Sequence, residues 1–139
     1  MIEGADSAGR FSLVEHPMKP RALCAPLHRH QNEDEYSFVL EGRIGVELGG
    51  EVAFATPGDL IPKPRNEWHT FWNAADEPAR ILEIISPAGF ERYFEEFANL
   101  EPPLRAEKVS ALANKYGVEL DLASIPRLVR EYGLVFPGG

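Results

Sequence analysis

The chain has little cysteine, little basic charge and no long apolar run, and each shortage removes a class of function. Cys24 is the single cysteine among 139 residues, which excludes an intrachain disulfide framework and a cysteine-rich zinc cluster. Chemistry here has to rest on histidine, carboxylates or hydroxyls. Lysine and arginine total 14 against 22 acidic residues, a formal net charge of −8, and no local basic cluster offsets that field. A nucleic-acid backbone or an anionic membrane surface would be repelled. The longest apolar runs span a few residues, far short of the roughly 20 that cross a bilayer, and the N-terminus lacks a basic stretch followed by an apolar one. The expectation is a cytoplasmic protein with no nucleic-acid partner and no membrane partner.

Apolar residues make up 44% of the chain and charged residues 26%, enough apolar material for a packed core and too little charge imbalance for disorder. At this length one domain is expected. Glycine and proline number 12 each, about 17% together against roughly 12% in average usage, which asks for many tight turns.

Two regions differ in their periodicity. Between Arg21 and Ser86, short β-branched and aromatic runs alternate with turn clusters such as Gln31-Asn32-Glu33-Asp34, Gly49-Gly50, Thr56-Pro57-Gly58-Asp59 and Ala74-Ala75-Asp76-Glu77-Pro78. Turn signals about ten residues apart point to an all-β sandwich or barrel. The best strand candidates are Tyr36 to Leu40, Ile44 to Leu48, Val52 to Ala55, Thr70 to Trp72 and Ala79 to Ile85. Residues 1–20 read as an N-terminal arm or strand, 21–87 as the β-domain, and 88–139 as a helical extension. In that extension Phe90, Tyr93, Phe94 and Phe97 stand at i, i+3, i+4 and i+7, as do Val109, Leu112, Ala113 and Tyr116, and Ile125, Leu128, Val129 and Tyr132. These spacings predict three amphipathic helices. Gly117 and Gly133 fit their C-terminal caps, and Ser124 an N-cap for the third, with Pro126 in its first turn. The apolar stripes serve either to pack on the barrel or a second subunit, or to form a lid over a site.

Three of the four histidines fall in two short segments, His28-Arg29-His30 and Trp68-His69-Thr70. Residues two apart on a strand share a face, so His28 and His30 can aim two imidazoles at one point, as a metal requires. Glu35 has the wrong parity for one continuous strand, but the turn cluster at 31–34 lets it open the next strand facing the same interior. Two imidazoles beside a carboxylate suit Fe, Mn, Ni, Cu or Zn. If His69 is a further ligand, Phe71 shares its face and Trp72 points the other way, into a core or a subunit contact.

The stretch His28-x-His30-x4-Glu35-x6-Gly42 resembles the first cupin motif, and Gly58-x5-Pro64-x4-His69-x3-Asn73 resembles the second. The resemblance covers about residues 20 to 90. It implies a mostly β fold, a small antiparallel double-stranded β-helix or jelly-roll barrel, here followed by about three C-terminal α-helices. It also implies one divalent transition metal held by His28, His30, Glu35 and His69. Two positions depart from the family pattern: Ala22 replaces a leading glycine, and Asn66 replaces the glycine two residues after Pro64. Asparagine tolerates left-handed backbone, so that turn can be kept.

Glu33 and Asp34 read as solvated turn residues, with Asp34 an alternative ligand, and His16 as a surface residue. Cys24 reads as a small buried hydrophobe or a functional thiol. Ser37 and Val39 share the face of Glu35, so with Phe71 they are expected to line a largely apolar substrate pocket. Arg29 points away by parity, leaving no firm anion clamp. Similarity to the quercetin dioxygenase-like branch implies a dioxygenase, and the apolar lining suits a small apolar or aromatic substrate. If an oxidation occurs, Glu35, a carboxylate near a cation and desolvated by the barrel, is the natural catalytic base. The alternatives are an isomerase or lyase using the metal as Lewis acid, and a binding protein without turnover. A homodimer is expected, as in small proteins of this family.

Overall fold

Period-two burial governs the strands of the computed structural model, which describes residues 2–136. In β3 (Asp34–Glu41) Glu35, Ser37 and Val39 are buried while the residues between them are not. In β8 (Ala79–Ser86) the buried set is Ala79, Ile81, Glu83 and Ile85. One face of each strand therefore lines the barrel, and that face is not purely apolar. The remaining strands are β1 (Ser12–Met18), β2 (Leu27–His30), β4 (Ile44–Leu48), β5 (Glu51–Ala55), β6 (Leu60–Lys63), β7 (His69–Asn73) and β9 (Val118–Asp121).

The strands form two sheets, ordered β1-β8-β3-β6 and β5-β4-β7-β2-β9, and every pairing is antiparallel. This is the expected jelly-roll barrel. One end is closed by an apolar cluster that includes Met18, Val39, Ile44, Val46, Ile61, Phe71 and Ile81. Two glycines are demanded by geometry. Gly42 turns the chain from β3 into β4 at φ +90°, and a Cβ on Gly45 would lie 2.2 Å from the Trp72 indole.

Three helices follow: α1 (Glu91–Ala98), α2 (Ala106–Lys115) and α3 (Ser124–Tyr132). The stripe of α3 packs on Trp72 and Leu23 through Leu128, Ile125, Val129 and Tyr132. Trp72 accordingly faces away from the barrel interior and is covered by this helix, with Tyr132 stacked on it at 4.4 Å. Tyr93, Phe94 and Tyr116 from the first two helices pack with Phe90, Ile85 and Val118 at the other end of the barrel. Among the described residues, no helix is long and apolar enough to cross a membrane.

The structure departs from the sequence reading at several places. Leu60–Lys63 is a strand despite Pro62, which is tolerated because β6 is an edge strand. The extension contains β9, which pairs with β2 and brings Leu120 opposite His28 and Val118 opposite His30. Ser124 does not cap α3: the capping position is Ala123. Its hydroxyl instead donates to the Asp121 carbonyl at 2.6 Å and accepts from the Leu27 N–H at 3.0 Å, tying β9 to β2. Gly117 and Gly133 do take left-handed backbone after their helices, with φ of 73° and 63°.

Candidate metal centre

Strand pairing brings the histidines together. His28 on β2 lies opposite His69 on β7, and His30 follows on the same face of β2. Glu35 enters from β3 in the other sheet, because the turn at 31–34 resets the parity. His28, His30, Glu35 and His69 each offer one ligand atom, and these atoms all lie within 4.8 Å of one another. All four side chains are buried. His30 Nε2 is 3.0 Å and His69 Nε2 3.4 Å from the same Glu35 oxygen, Oε1.

The outer nitrogen of each ring is fixed by an acceptor. His28 Nδ1 meets the Pro26 carbonyl at 2.8 Å, His69 Nδ1 the Glu67 carbonyl at 3.0 Å, and His30 Nδ1 the Glu33 carboxylate at 3.1 Å. An N–H donated outward leaves the Nε2 lone pair facing the shared centre, which is the arrangement seen in metal-binding imidazoles. His69 Nε2 is buried with no hydrogen-bond partner, a cost that an ion would remove. The donor set therefore fits a divalent transition metal.

The surrounding charges divide the histidines. Burial, then the neighbouring His69 and His30, holds His28 well below the usual imidazole range. Burial also lowers His69. At His30 burial pulls downward, but Glu33 and Glu35 together outweigh it and raise the pKa to about 9. Burial pushes the Glu35 carboxyl up, yet Lys63 and the His30 and His69 contacts overcome it and keep it well below the carboxylate range.

Several neighbours were not evident in the sequence. Glu33 is buried rather than solvated, turned inward by its bond to His30. Asp34 does face outward, bonding the Arg65 backbone and guanidinium, and takes no part in the cluster. His16 is not a surface residue: its ring packs edge-on against Phe94 at 5.3 Å, and burial followed by the Lys63 charge lowers its pKa to about 4. Its alternation with Ser12 and Met18 along β1, both buried, was the signal for an inward face. Cys24 follows the hydrophobe reading: it is partly buried, packs on the apolar cluster, and burial pushes its thiol up to about 12.

The expected pocket residues separate. Val39 sits in the apolar cluster, and Phe71 sits at that cluster's edge. Ser37 donates a 2.7 Å hydrogen bond to Glu83. Beside it lies an ion pair that the sequence reading did not find, Lys63 Nζ to Glu83 Oε1 at 2.7 Å, with both side chains at most 2% exposed. Burial, partly opposed by Lys63, raises the Glu83 carboxyl. Lys63 also lies over the Phe71 ring, 4.4 Å from its centroid. Arg29 does point away, pairing with Glu119 and covering Trp68. Within the cluster capped by the first two helices, Phe90 packs edge-on against His30 at 4.6 Å.

The solved structure of KdgF from Halomonas sp. is 26% identical, with a TM-score of 0.55 over 60% of this chain and 74% of that one. A sugar phosphate isomerase of the cupin superfamily from Silicibacter pomeroyi is also 26% identical, with a TM-score of 0.53 over 60% of this chain and 55% of that one. A predicted oxalate decarboxylase from Thermotoga maritima, at 18% identity, shares the fold with a TM-score of 0.59 over 63% and 76% of the two chains. In sequence, 60 residues are 35% identical to the polyketide synthase CurC of Streptomyces cyaneus, covering 43% of this chain and 39% of that protein. The chain thus spans about two fifths of the length of that relative. Residues 15–85 match the Cupin domain family, Cupin_2. That span runs from within β1 to within β8 and holds both sequence motifs and all four convergent side chains, and the chain belongs to the cupin family.

Proposed function

We propose that this cupin is a metal-dependent dioxygenase of the quercetin dioxygenase-like kind, acting on a small molecule that chelates through oxygen. The observation that carries the reading is the convergence of three imidazole nitrogens and one carboxylate on one buried point. Four protein donors leave room for one or two further ligands, the mark of an open rather than a closed site. An ion held there supplies a Lewis-acidic centre and, if it is Fe, Mn, Ni or Cu, a redox-active one.

The chain's own groups have separable tasks. His28, His30 and His69 hold their Nε2 atoms toward the centre, and Pro26, Glu33 and Glu67 keep those rings from turning. Glu35 is the catalytic base, its carboxylate taking a substrate proton when it is not engaged with the ion. Phe90, packed edge-on against His30, excludes water beside the centre. A second reading, isomerase or lyase chemistry without a redox change, is supported by the fold shared with a protein described as a sugar phosphate isomerase.

Oxygen uptake separates the two. Protein reconstituted with Fe, Mn, Ni or Cu under anaerobic conditions is mixed with flavonols, catechols and 1,3-diketones, and oxygen is then admitted. Stoichiometric uptake with at least one pair is expected. No uptake across the panel overturns the dioxygenase reading in favour of the second.

We further propose a homodimer formed by two copies of β5. This edge strand exposes Val52 and Phe54, with Leu60 of β6 beside them across a cleft of about 360 Å³. An unpaired apolar edge is suited to antiparallel pairing with its own copy.

A further inference from the structure

The pair Lys63–Glu83 has no part in holding the imidazoles, yet it is buried in the same barrel interior. Register fixes its place. On β3, Glu35 lies opposite Lys63 of β6, and Ser37 lies opposite Glu83 of β8. The ammonium is therefore the cross-strand neighbour of the metal-facing carboxylate, and its charge is felt at Glu35, His69, His16 and Cys24. A buried ion pair is a poor way to stabilise a barrel. Removing two charges from water costs about as much as their attraction returns, and well-packed apolar residues serve as well or better.

We infer that Lys63 is a substrate-binding residue, whose ammonium donates to an anionic oxygen of a chelating substrate, and that Glu83 and Ser37 position it. The substrate class is a small monoanionic oxygen chelator, such as the enolate of a 1,3-dicarbonyl compound or a 2-oxo acid. This rests on the metal-centred reading above and names its substrate.

Geometry supports the assignment. Glu83 approaches Lys63 Nζ from β8 and the Phe71 ring lies on another side, so the ammonium is held in place by two groups, with one N–H engaged by Glu83 and two left to donate elsewhere. Glu83 is itself held by the Ser37 hydroxyl at 2.7 Å.

The test uses cobalt(II)-loaded full-length protein under anaerobic conditions, with ligand binding read from the visible absorption of the ion. The probes are the pentane-2,4-dionate anion and neutral imidazole. Lys63→Met is expected to bind one cobalt per chain like the wild type, to lose tenfold or more in affinity for the dionate, and to keep its imidazole affinity within twofold. Lys63→Met combined with Glu83→Gln removes the stranded carboxylate and is expected to show the same selective loss, so a folding defect of the single variant does not decide the matter. Wild-type affinity for the dionate in both variants, or equal weakening of both probes, overturns the assignment of Lys63 alone. If the wild-type protein binds no cobalt, the metal-centred reading falls and this inference falls with it.

Discussion

Glu33 accepts the Nδ1–H of His30 at 3.1 Å, and both side chains are buried. A carboxylate behind a ligating imidazole fixes the ring's tautomer and raises the basicity of the nitrogen that faces the ion. Glu33→Ala is therefore expected to weaken metal affinity by about 10- to 100-fold, by chelator competition. Glu33→Gln keeps an acceptor and should fall between that variant and the wild type. Unchanged affinity in Glu33→Ala would show that the backbone alone orients His30.

An ion that binds the folded chain and not the unfolded one stabilises it by about 2.7 kcal/mol at a free concentration 100 times its dissociation constant. For a chain of this size that is a rise in Tm on the order of 10 °C, lost on adding a chelator. His69→Ala removes a convergent ligand and should abolish the rise without lowering the Tm of the metal-free protein by a similar amount. Scanning calorimetry of both proteins, with and without metal, checks this.

His16 gives the fold an acid sensitivity. Its pKa falls from 6.5 to about 4 on folding, chiefly through burial, so the unfolded chain binds more protons between those two values. Stability at His16 is therefore fully present above about pH 6.5 and declines as pH falls toward 4, by on the order of 2 kcal/mol. His16→Phe keeps the packing on Phe94 and removes the proton site. Its urea midpoint should change less between pH 7 and pH 4.5 than that of the wild type, and an identical pH dependence would reject the role.

Gly45 permits the close passage of β4 over the Trp72 indole, where a Cβ would lie 2.2 Å from the ring. Gly45→Ala has to displace Trp72, which is 1% exposed and stacked on Tyr132. The expected cost is at least about 2 kcal/mol in urea unfolding, with a change in near-ultraviolet dichroism as the stack is disturbed. A wild-type spectrum and midpoint would mean that the strand shifts freely.

The proposed dimer is tested by Phe54→Lys. A charge on each copy of β5 should convert a dimeric mass, measured by light scattering at micromolar concentration, to a monomeric one with little loss of Tm. A monomeric wild type would remove the proposal.

What was legible in the sequence follows the range of the interactions. His28 and His30 are two residues apart on one strand, and a turn cluster between His30 and Glu35 shows where parity resets, so local reading sufficed. Lys63 and Glu83 were missed because their inward faces depend on how β6 and β8 register on β3, which no single segment states. Glu33 looked like a solvated turn residue, since nothing local says that a turn folds inward onto the imidazole before it. Val118–Asp121 became a strand through its pairing with β2. Between two helical stripes, four residues carry too short a pattern to announce that.

The partnership of β9 with β2 also sets an order in time. β2 carries two of the converging histidines, and its outer edge finds its neighbour only after on the order of 90 further residues, roughly 5 to 20 seconds of synthesis at typical elongation rates. Until then a nascent chain holding both histidine motifs has β2 as a bare edge, open to pairing with other chains. The wall behind His28 and His30 is built long after those histidines are made.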